Sequence, residues 1–230
     1  MKHLAVAALC AALTVTGAAH AADAPALEGE KAKLGYSIGM DIGGSLKRQA
    51  VDVDVDALAR GIRDSYAGDN TLVSEEEARQ TILAYQKQAM ERQAEAMRRL
   101  GEKNKAEGEK FLAENAKKEG VKTLPSGLQY KVLTPGSGKT PKATDTVVTH
   151  YRGTLVDGTE FDSSYKRGEP ATFPVSGVIA GWTEALQLMQ EGAKWQLFLP
   201  PTLAYGERGA GRDIGPNATL IFDVELISVK

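Results

Sequence analysis

Leu220-Ile221-Phe222-Asp223-Val224-Glu225-Leu226-Ile227-Ser228-Val229 places Leu220, Phe222, Val224 and Leu226 on one side and Ile221, Asp223, Glu225 and Ile227 on the other. A period of two marks a strand with one buried face, so the chain is expected to end in a β-strand. Upstream, Trp195, Leu197 and Leu199 alternate with Gln196 and Phe198 until Pro200-Pro201. Proline has no N–H to give a ladder, so the strand stops there. Val156-Asp157-Gly158-Thr159 is a hairpin turn signal between a strand through Val147 to Leu155 and another toward Phe161. One helix fits this half, from about Trp182 to Gln190, with Ala185, Leu186 and Met189 on one side and Gly192 just past its end. The expected class is α+β: an antiparallel sheet of about five strands wrapped over one short helix.

Moving toward the N-terminus, the texture changes. Apart from Pro25, every one of the nine prolines lies at or after Pro125, so the stretch from Ala26 to Leu124 can be helical throughout. Leu34, Ile38, Ile42 and Leu46 recur every four residues and predict an amphipathic helix from about Glu30 to Gln49. Gly35, Gly39 and Gly43 form a second stripe on it. Glycine weakens a helix interior by up to about 1 kcal/mol relative to alanine, so the stripe points to close approach by another helix. A second helix is expected from Val55 to Tyr66, capped by Asp54 and ended by Gly68-Asp69-Asn70.

Ser74 and Glu77 stand at capping-box spacing, with Glu75, Glu76 and Glu77 near the positive end of the helix dipole. A helix of roughly 40 residues, about 60 Å long, is expected from there. Leu83, Met90, Met97, Asn104 and Phe111 step by seven, while Gly101 and Gly108 interrupt the distal part and no large apolar residue lies between Leu100 and Phe111. On this reading the first half packs and the second half is a solvated stalk. So few apolar residues make a small core, and dimerisation is expected to supply the missing surface. The boundary to the β-rich half is placed near Thr123-Leu124-Pro125-Ser126-Gly127. The expected organisation is a leader over 1–21, a helical dimerisation domain over 22–73, a long connecting helix over 74–119 and the β-rich domain over 120–230.

The leader follows from Lys2, the uncharged run Leu4 to Val15 and the small-x-small triplet Ala19-His20-Ala21, the pattern of a secretory signal cleaved after Ala21. The run is shorter than the roughly 20 apolar residues that span a bilayer. Cys10, the single cysteine, leaves with it. The 28 Lys+Arg against 30 Asp+Glu, a net charge of −2, lack the basic footprint of a nucleic-acid binder, so no such partner is expected.

Familiar chemistries fail on spacing. Gly138-Lys139-Thr140 resembles the end of a phosphate loop, but Leu133 stands where its first glycine belongs and Pro141 where its helix begins. After cleavage only His150 remains, without a second imidazole or a thiol, so no metal or other cofactor is expected. A Ser-His-Asp triad has only His150 to draw on, and no strand-turn-helix nucleophile elbow accompanies it.

The segments His150-Tyr151-Arg152-Gly153, Gly158-Thr159-Glu160-Phe161-Asp162-Ser163-Ser164, Val178-Ile179-Ala180-Gly181-Trp182, Leu203-Ala204-Tyr205-Gly206 and Thr219 to Leu226 occur in an order and spacing that resembles the FKBP family of peptidyl-prolyl cis-trans isomerases. The resemblance covers nearly all of Leu124 to Lys230, and the helices ahead of it are similar to the macrophage infectivity potentiator (Mip) and FkpA branch of exported, dimeric FKBPs. It implies a pocket of Tyr151, Phe161, Asp162, Arg167, Phe173, Val178, Ile179, Trp182, Tyr205, Ile214 and Phe222. Tyr151, Asp162, Tyr205 and Phe222 carry the catalytic roles in this reading, and the remainder bind substrate. Trp182 is the floor beneath the proline ring, the Ile179 N–H and Tyr205 hydroxyl bind carbonyls, and Arg167 partners Asp162. Proline-containing unfolded or extended polypeptides are the implied substrates, and FK506- or rapamycin-type macrolides the implied inhibitors. The implied location is the periplasm, outer membrane or surface of a Gram-negative bacterium.

Ala171 replaces an aromatic of the human cytosolic members, and the loop from Gly206 to Pro216 carries Glu207, Arg208, Ala210, Arg212 and Asp213 in place of a histidine and aliphatics. Rim preferences are expected to differ accordingly. Two functions follow: an exported isomerase for proline-limited folding, and a client-binding chaperone or surface module in which turnover is incidental.

Overall fold

The computed structural model describes residues 27–68 and 71–230; the leader expected over 1–21 lies outside them. The chain divides into two compact units, Met1–Ser74 and Glu75–Lys230.

In the first unit, helix α1 spans Glu30–Arg48 and helix α2 spans Val55–Ala67. Asp54 caps α2 by accepting from the Ala57 N–H at 3.0 Å, and Gly68 ends it in the left-handed region at φ 74°. Neither helix contains a buried residue. Leu34, Ile38 and Ile62 are exposed, while Ile42, Leu46, Val53 and Leu58 line a groove of about 370 Å³ between the two helices.

The second unit begins with helix α3, Glu75–Asn115, whose 41 residues match the expected length. Its packing is the reverse of the expectation. Leu83 and Met90 in the first half are exposed, as is Met97 just past the middle, whereas Gly101, Gly108 and Asn115 in the second half are buried. These three also step by seven, close to two helical turns, so they share one stripe. A Cβ at Gly108 would sit 2.3 Å from Thr219 Oγ1, and one at Gly101 would sit 3.1 Å from Pro216 Cβ. The Asn115 side chain donates to Gln129 Oε1 at 2.9 Å, Gln129 Nε2 donates to the Leu112 carbonyl at 2.9 Å, and Phe111 meets Phe198 at 5.9 Å. The stalk reading failed because it counted large apolar residues, while this seam is made by missing side chains and by polar ones.

Seven strands follow: β1 Val121–Thr123, β2 Gln129–Thr134, β3 Thr146–Leu155, β4 Glu160–Ser163, β5 Ala171–Pro174, β6 Lys194–Leu199 and β7 Leu220–Val229. They form one antiparallel sheet in the order β1-β2-β6-β7-β3-β4, with β5 also paired to β3. The proline-marked boundary near Thr123–Gly127 is the β1–β2 turn, closed by Leu124 N–H to Leu128 O at 2.8 Å. The expected hairpin joins β3 and β4, with Gly158 at φ 88° and the Thr159 N–H on Asp157 Oδ1 at 2.9 Å.

Along β7 the alternation holds: Leu220, Phe222, Val224 and Leu226 are buried and the residues between them are not. Helix α5, Ala180–Leu186, lies under this face, beginning two residues before Trp182 and ending well before Gln190. Trp182, Ala185, Leu186 and Met189 are buried against Val147, Leu197 and Leu199. A further single turn, α4 over Ser164–Arg167, was not expected; Ser163 caps it, and Gly168 closes it at φ 80°.

Candidate active site

Four strands, the start of a helix and a loop meet around a cavity of about 700 Å³. Strand β3 supplies Tyr151, β4 supplies Phe161 and Asp162, β5 supplies Phe173 and β7 supplies Phe222. Val178, Ile179 and Trp182 come from the start of α5 and the residues before it, and Tyr205 and Ile214 from the loop between β6 and β7. Ten of the eleven residues expected in the site therefore line one cavity. Arg167 is not in the lining and reaches the site through Asp162 and Tyr151.

The aromatic floor is built from edge-to-face pairs. Trp182 meets Tyr151 at 5.3 Å, Phe222 at 5.3 Å and Phe173 at 6.0 Å, and Phe161 stands on Phe222 at 5.5 Å. Such pairs place positive ring edges on negative faces, which fixes the rings against one another. Gly153 leaves room for them: a Cβ there would lie 2.6 Å from Phe161 and 2.8 Å from Phe222. The indole Nε1–H of Trp182 is buried without a hydrogen-bond partner among the described residues.

On the polar side Tyr151, Asp162 and Arg167 form a closed triangle. The Tyr151 hydroxyl donates to Asp162 Oδ2 at 2.5 Å and accepts from Arg167 Nη2 at 2.8 Å, while Arg167 Nη1 donates to Asp162 Oδ1. The guanidinium also lies 5.3 Å from the centre of the Tyr151 ring, in cation–π range. Burial raises the Tyr151 phenol above its ordinary value, and the hydrogen bond to Asp162 raises it further. The hydrogen bonds to Tyr151 and then to Asp162 strengthen the hold of Arg167 on its proton. Asp162 is thus fixed in orientation, with both oxygens engaged.

Ile179 is the N-cap of α5, so its own N–H has no acceptor within the helix. Tyr205 is 40% exposed at the rim.

Asp213, Gly177, Ala210 and Gly211 also line the cavity and escaped the sequence reading. Asp213 and Ala210 belonged to the loop already singled out for its charges, which was the available signal. Ala171 is absent from the lining; it pairs with Thr149 on β3 and packs against the core. His150 lies 3.0 Å from the Ser164 hydroxyl, but Ser164 is fully buried, accepts from the Tyr151 N–H at 2.8 Å and donates to the Tyr151 carbonyl at 3.1 Å. That serine anchors α4 to β3 and is not an exposed nucleophile.

Two family models match the chain. "Domain amino terminal to FKBP-type peptidyl-prolyl isomerase" covers residues 31–132 and "FKBP-type peptidyl-prolyl cis-trans isomerase" covers residues 137–227. The chain is 47% identical over 230 residues to the outer membrane protein MIP of Legionella longbeachae, covering 100% of this chain and 99% of that protein. It is 45% identical over 230 residues to the peptidyl-prolyl cis-trans isomerase Mip of Coxiella burnetii, with the same coverage. The crystal structure of FkpA from Escherichia coli superimposes with a TM-score of 0.71 at 42% identity, covering 89% of this chain and 99% of that one.

Proposed function

Because this chain belongs to the FKBP family of peptidyl-prolyl cis-trans isomerases, in its Mip and FkpA branch, we propose that the aromatic cavity over Trp182 is where it isomerises X-Pro bonds of exported polypeptides. The observation that carries the assignment is the convergence of Tyr151, Phe161, Phe173, Trp182 and Phe222 on one largely apolar cavity with a fixed carboxylate at its edge. X-Pro rotation faces a barrier of about 18–20 kcal/mol because twisting the amide breaks its resonance. The twisted amide is less polar than the planar one, so an apolar cavity holds it better than water does, and this differential binding lowers the barrier without a nucleophile. Trp182 seats the proline ring, the Ile179 N–H and Tyr205 hydroxyl hold flanking carbonyls, and Asp162, pinned by Arg167 and Tyr151, faces the carbonyl that rotates.

Export to the envelope through the segment 1–21 fits this substrate class. Among the described residues no helix is long and apolar enough to cross a membrane. The exposed apolar faces of α1 and α2 support a homodimer, and two tethered pockets raise the effective concentration of a client, which supports chaperone activity beside turnover. The exposed Ile82, Leu83 and Met90 on α3 favour a second reading in which client capture dominates.

The deciding measurement is isomerisation of a short X-Pro peptide by the full mature chain, with and without an FK506-type macrolide. Macrolide-sensitive acceleration is expected, with Asp162→Leu and Tyr205→Phe slowing it at nearly unchanged melting temperature. Absence of catalysis by the folded protein, with retained suppression of client aggregation, gives first place to the chaperone reading.

A further inference from the structure

The loop between β6 and β7 has two faces, and only one is turned to the cavity. The Asn217 N–H closes the loop onto the Gly206 carbonyl at 2.9 Å, and Ala210 and Ile214 bridge it internally, N–H to O at 2.8 and 3.2 Å. On one side Ala210, Gly211, Asp213 and Ile214 line the substrate cavity. On the other side the loop lies on the second half of α3. Asn104 Nδ2 donates to the Pro216 carbonyl at 2.8 Å, and Asn217 Nδ2 donates to the Gly101 carbonyl at 3.4 Å. Glycines stand where the two surfaces come closest: a Cβ at Gly215 would lie 3.0 Å from both Asn104 Nδ2 and Leu100 Cδ2, and one at Gly101 3.1 Å from Pro216 Cβ. Gly211, Asp213 and Ile214 also line a cleft of about 260 Å³ that faces Leu100 and Asn104. The same few loop residues therefore separate substrate from helix.

We propose that α3 is a working part of the isomerase site, with Asn104 as a positioning residue that holds the 206–217 loop at the height from which it reads the residue before proline. Asn104 is half-buried and its carboxamide is the only α3 side chain among the described residues that hydrogen-bonds this loop. Gly101 sets the spacing, because any side chain there pushes on Pro216 and Asn217. The loop contains Gly206, Gly209 and Gly211, all at positive φ near 60°, backbone that is permissive by itself and takes its definition from what it rests on. Helix α3 provides that rest, and the rim is thereby tied to an element that the sequence presents as a mere connector.

This inference rests on the pocket assignment above, and the test separates the two. Asn104→Asp keeps the shape but turns a donor into a carboxylate facing a carbonyl; Gly101→Ala leaves the Asn104 carboxamide in place but adds a methyl 3.1 Å from Pro216 Cβ and 3.3 Å from Asn217 Nδ2. In the full chain, kcat and KM are measured for X-Pro peptides with X as Ala, Leu, Lys and Glu, beside macrolide Kd and melting temperature. Losing one hydrogen bond corresponds to roughly three- to tenfold, so the spread of kcat/KM across X is expected to shift by about that factor in Asn104→Asp and, through the displaced loop, by a smaller factor in Gly101→Ala. The change is expected in KM with kcat retained, and macrolide Kd is expected to weaken. An equal loss for all X that follows the melting temperature, or an unchanged spread, overturns the role of α3. If Asn104→Asp does not fold, Gly101→Ala decides alone. Asp162→Leu measured alongside tests the pocket itself: wild-type rates there overturn the pocket assignment, while impaired rates with an unchanged X spread in the α3 variants overturn only this inference.

Discussion

Helices α1 and α3 both carry evenly spaced glycines, and the two stripes have opposite surroundings. Around Gly35, Gly39 and Gly43 a Cβ would meet nothing within 4 Å, whereas at Gly101 and Gly108 it would strike Pro216 and Thr219. The α3 stripe is filled by its own compact unit, and the α1 stripe lies open beside exposed Leu34 and Ile38. A glycine stripe therefore signals close approach, while the identity of what approaches is settled elsewhere. In α3 it is the β domain of the same chain; for α1 a second copy is the proposed partner.

The largest expected effect is at the filled stripe. Gly108→Leu forces a side chain into Thr219, and overpacking of this kind costs about 1–3 kcal/mol, so the melting temperature should fall clearly in a thermal scan. Gly108→Ala sharpens the point through its sign. Alanine favours a helix over glycine by up to about 1 kcal/mol, yet with Thr219 Oγ1 only 2.3 Å from the new Cβ this variant should still lose stability; a gain would show that the seam yields.

At the open stripe the expectation inverts. Gly39→Leu should leave far-ultraviolet ellipticity intact and weaken self-association about tenfold, corresponding to roughly 1.4 kcal/mol, as read by sedimentation equilibrium. A dimer of unchanged affinity would remove α1 glycines from the interface.

The smallest effect contrasts the pocket with the rest of its unit. Because burial and Asp162 raise the Tyr151 phenol, the folded state holds this proton more tightly than the unfolded chain. That contribution is complete below the ordinary tyrosine value near 10 and is lost as pH rises through the higher folded value. Tyr151→Phe should thus flatten the decline of unfolding free energy above pH 10 without abolishing it, since burial raises Tyr165 in the same direction. An unchanged slope would mean that Tyr151 does not titrate differently on folding.

Much of the site was legible because its residues sit on regular elements at fixed registers. Tyr151, Phe161 and Phe222 follow from strand alternation and the Asp157-Gly158 turn, and their roles came from family resemblance. Asp213 and the loop glycines were not legible as lining, because a loop has no period from which to read which side chains turn inward. The extra turn at Ser164–Arg167 was hidden by its length, too short for periodicity, although it is what carries Arg167 back to Asp162.

By itself the sequence determined the helical character of the first half, strands β3, β4, β6 and β7 of the second and the hairpin between β3 and β4. These follow from local rules: steric periods of two and 3.6, proline's missing N–H, and which side chains tolerate burial. Only the tertiary structure decided that one stripe of the distal half of α3, Gly101, Gly108 and Asn115, is buried, that its glycines meet Thr219 and Pro216, and that Asn104 reaches the loop above the active site. Those contacts join residues more than a hundred positions apart through small and polar groups. Hydrophobic patterning does not register such groups, because what they contribute is space and a hydrogen bond, and both exist only once the partner surface is in place.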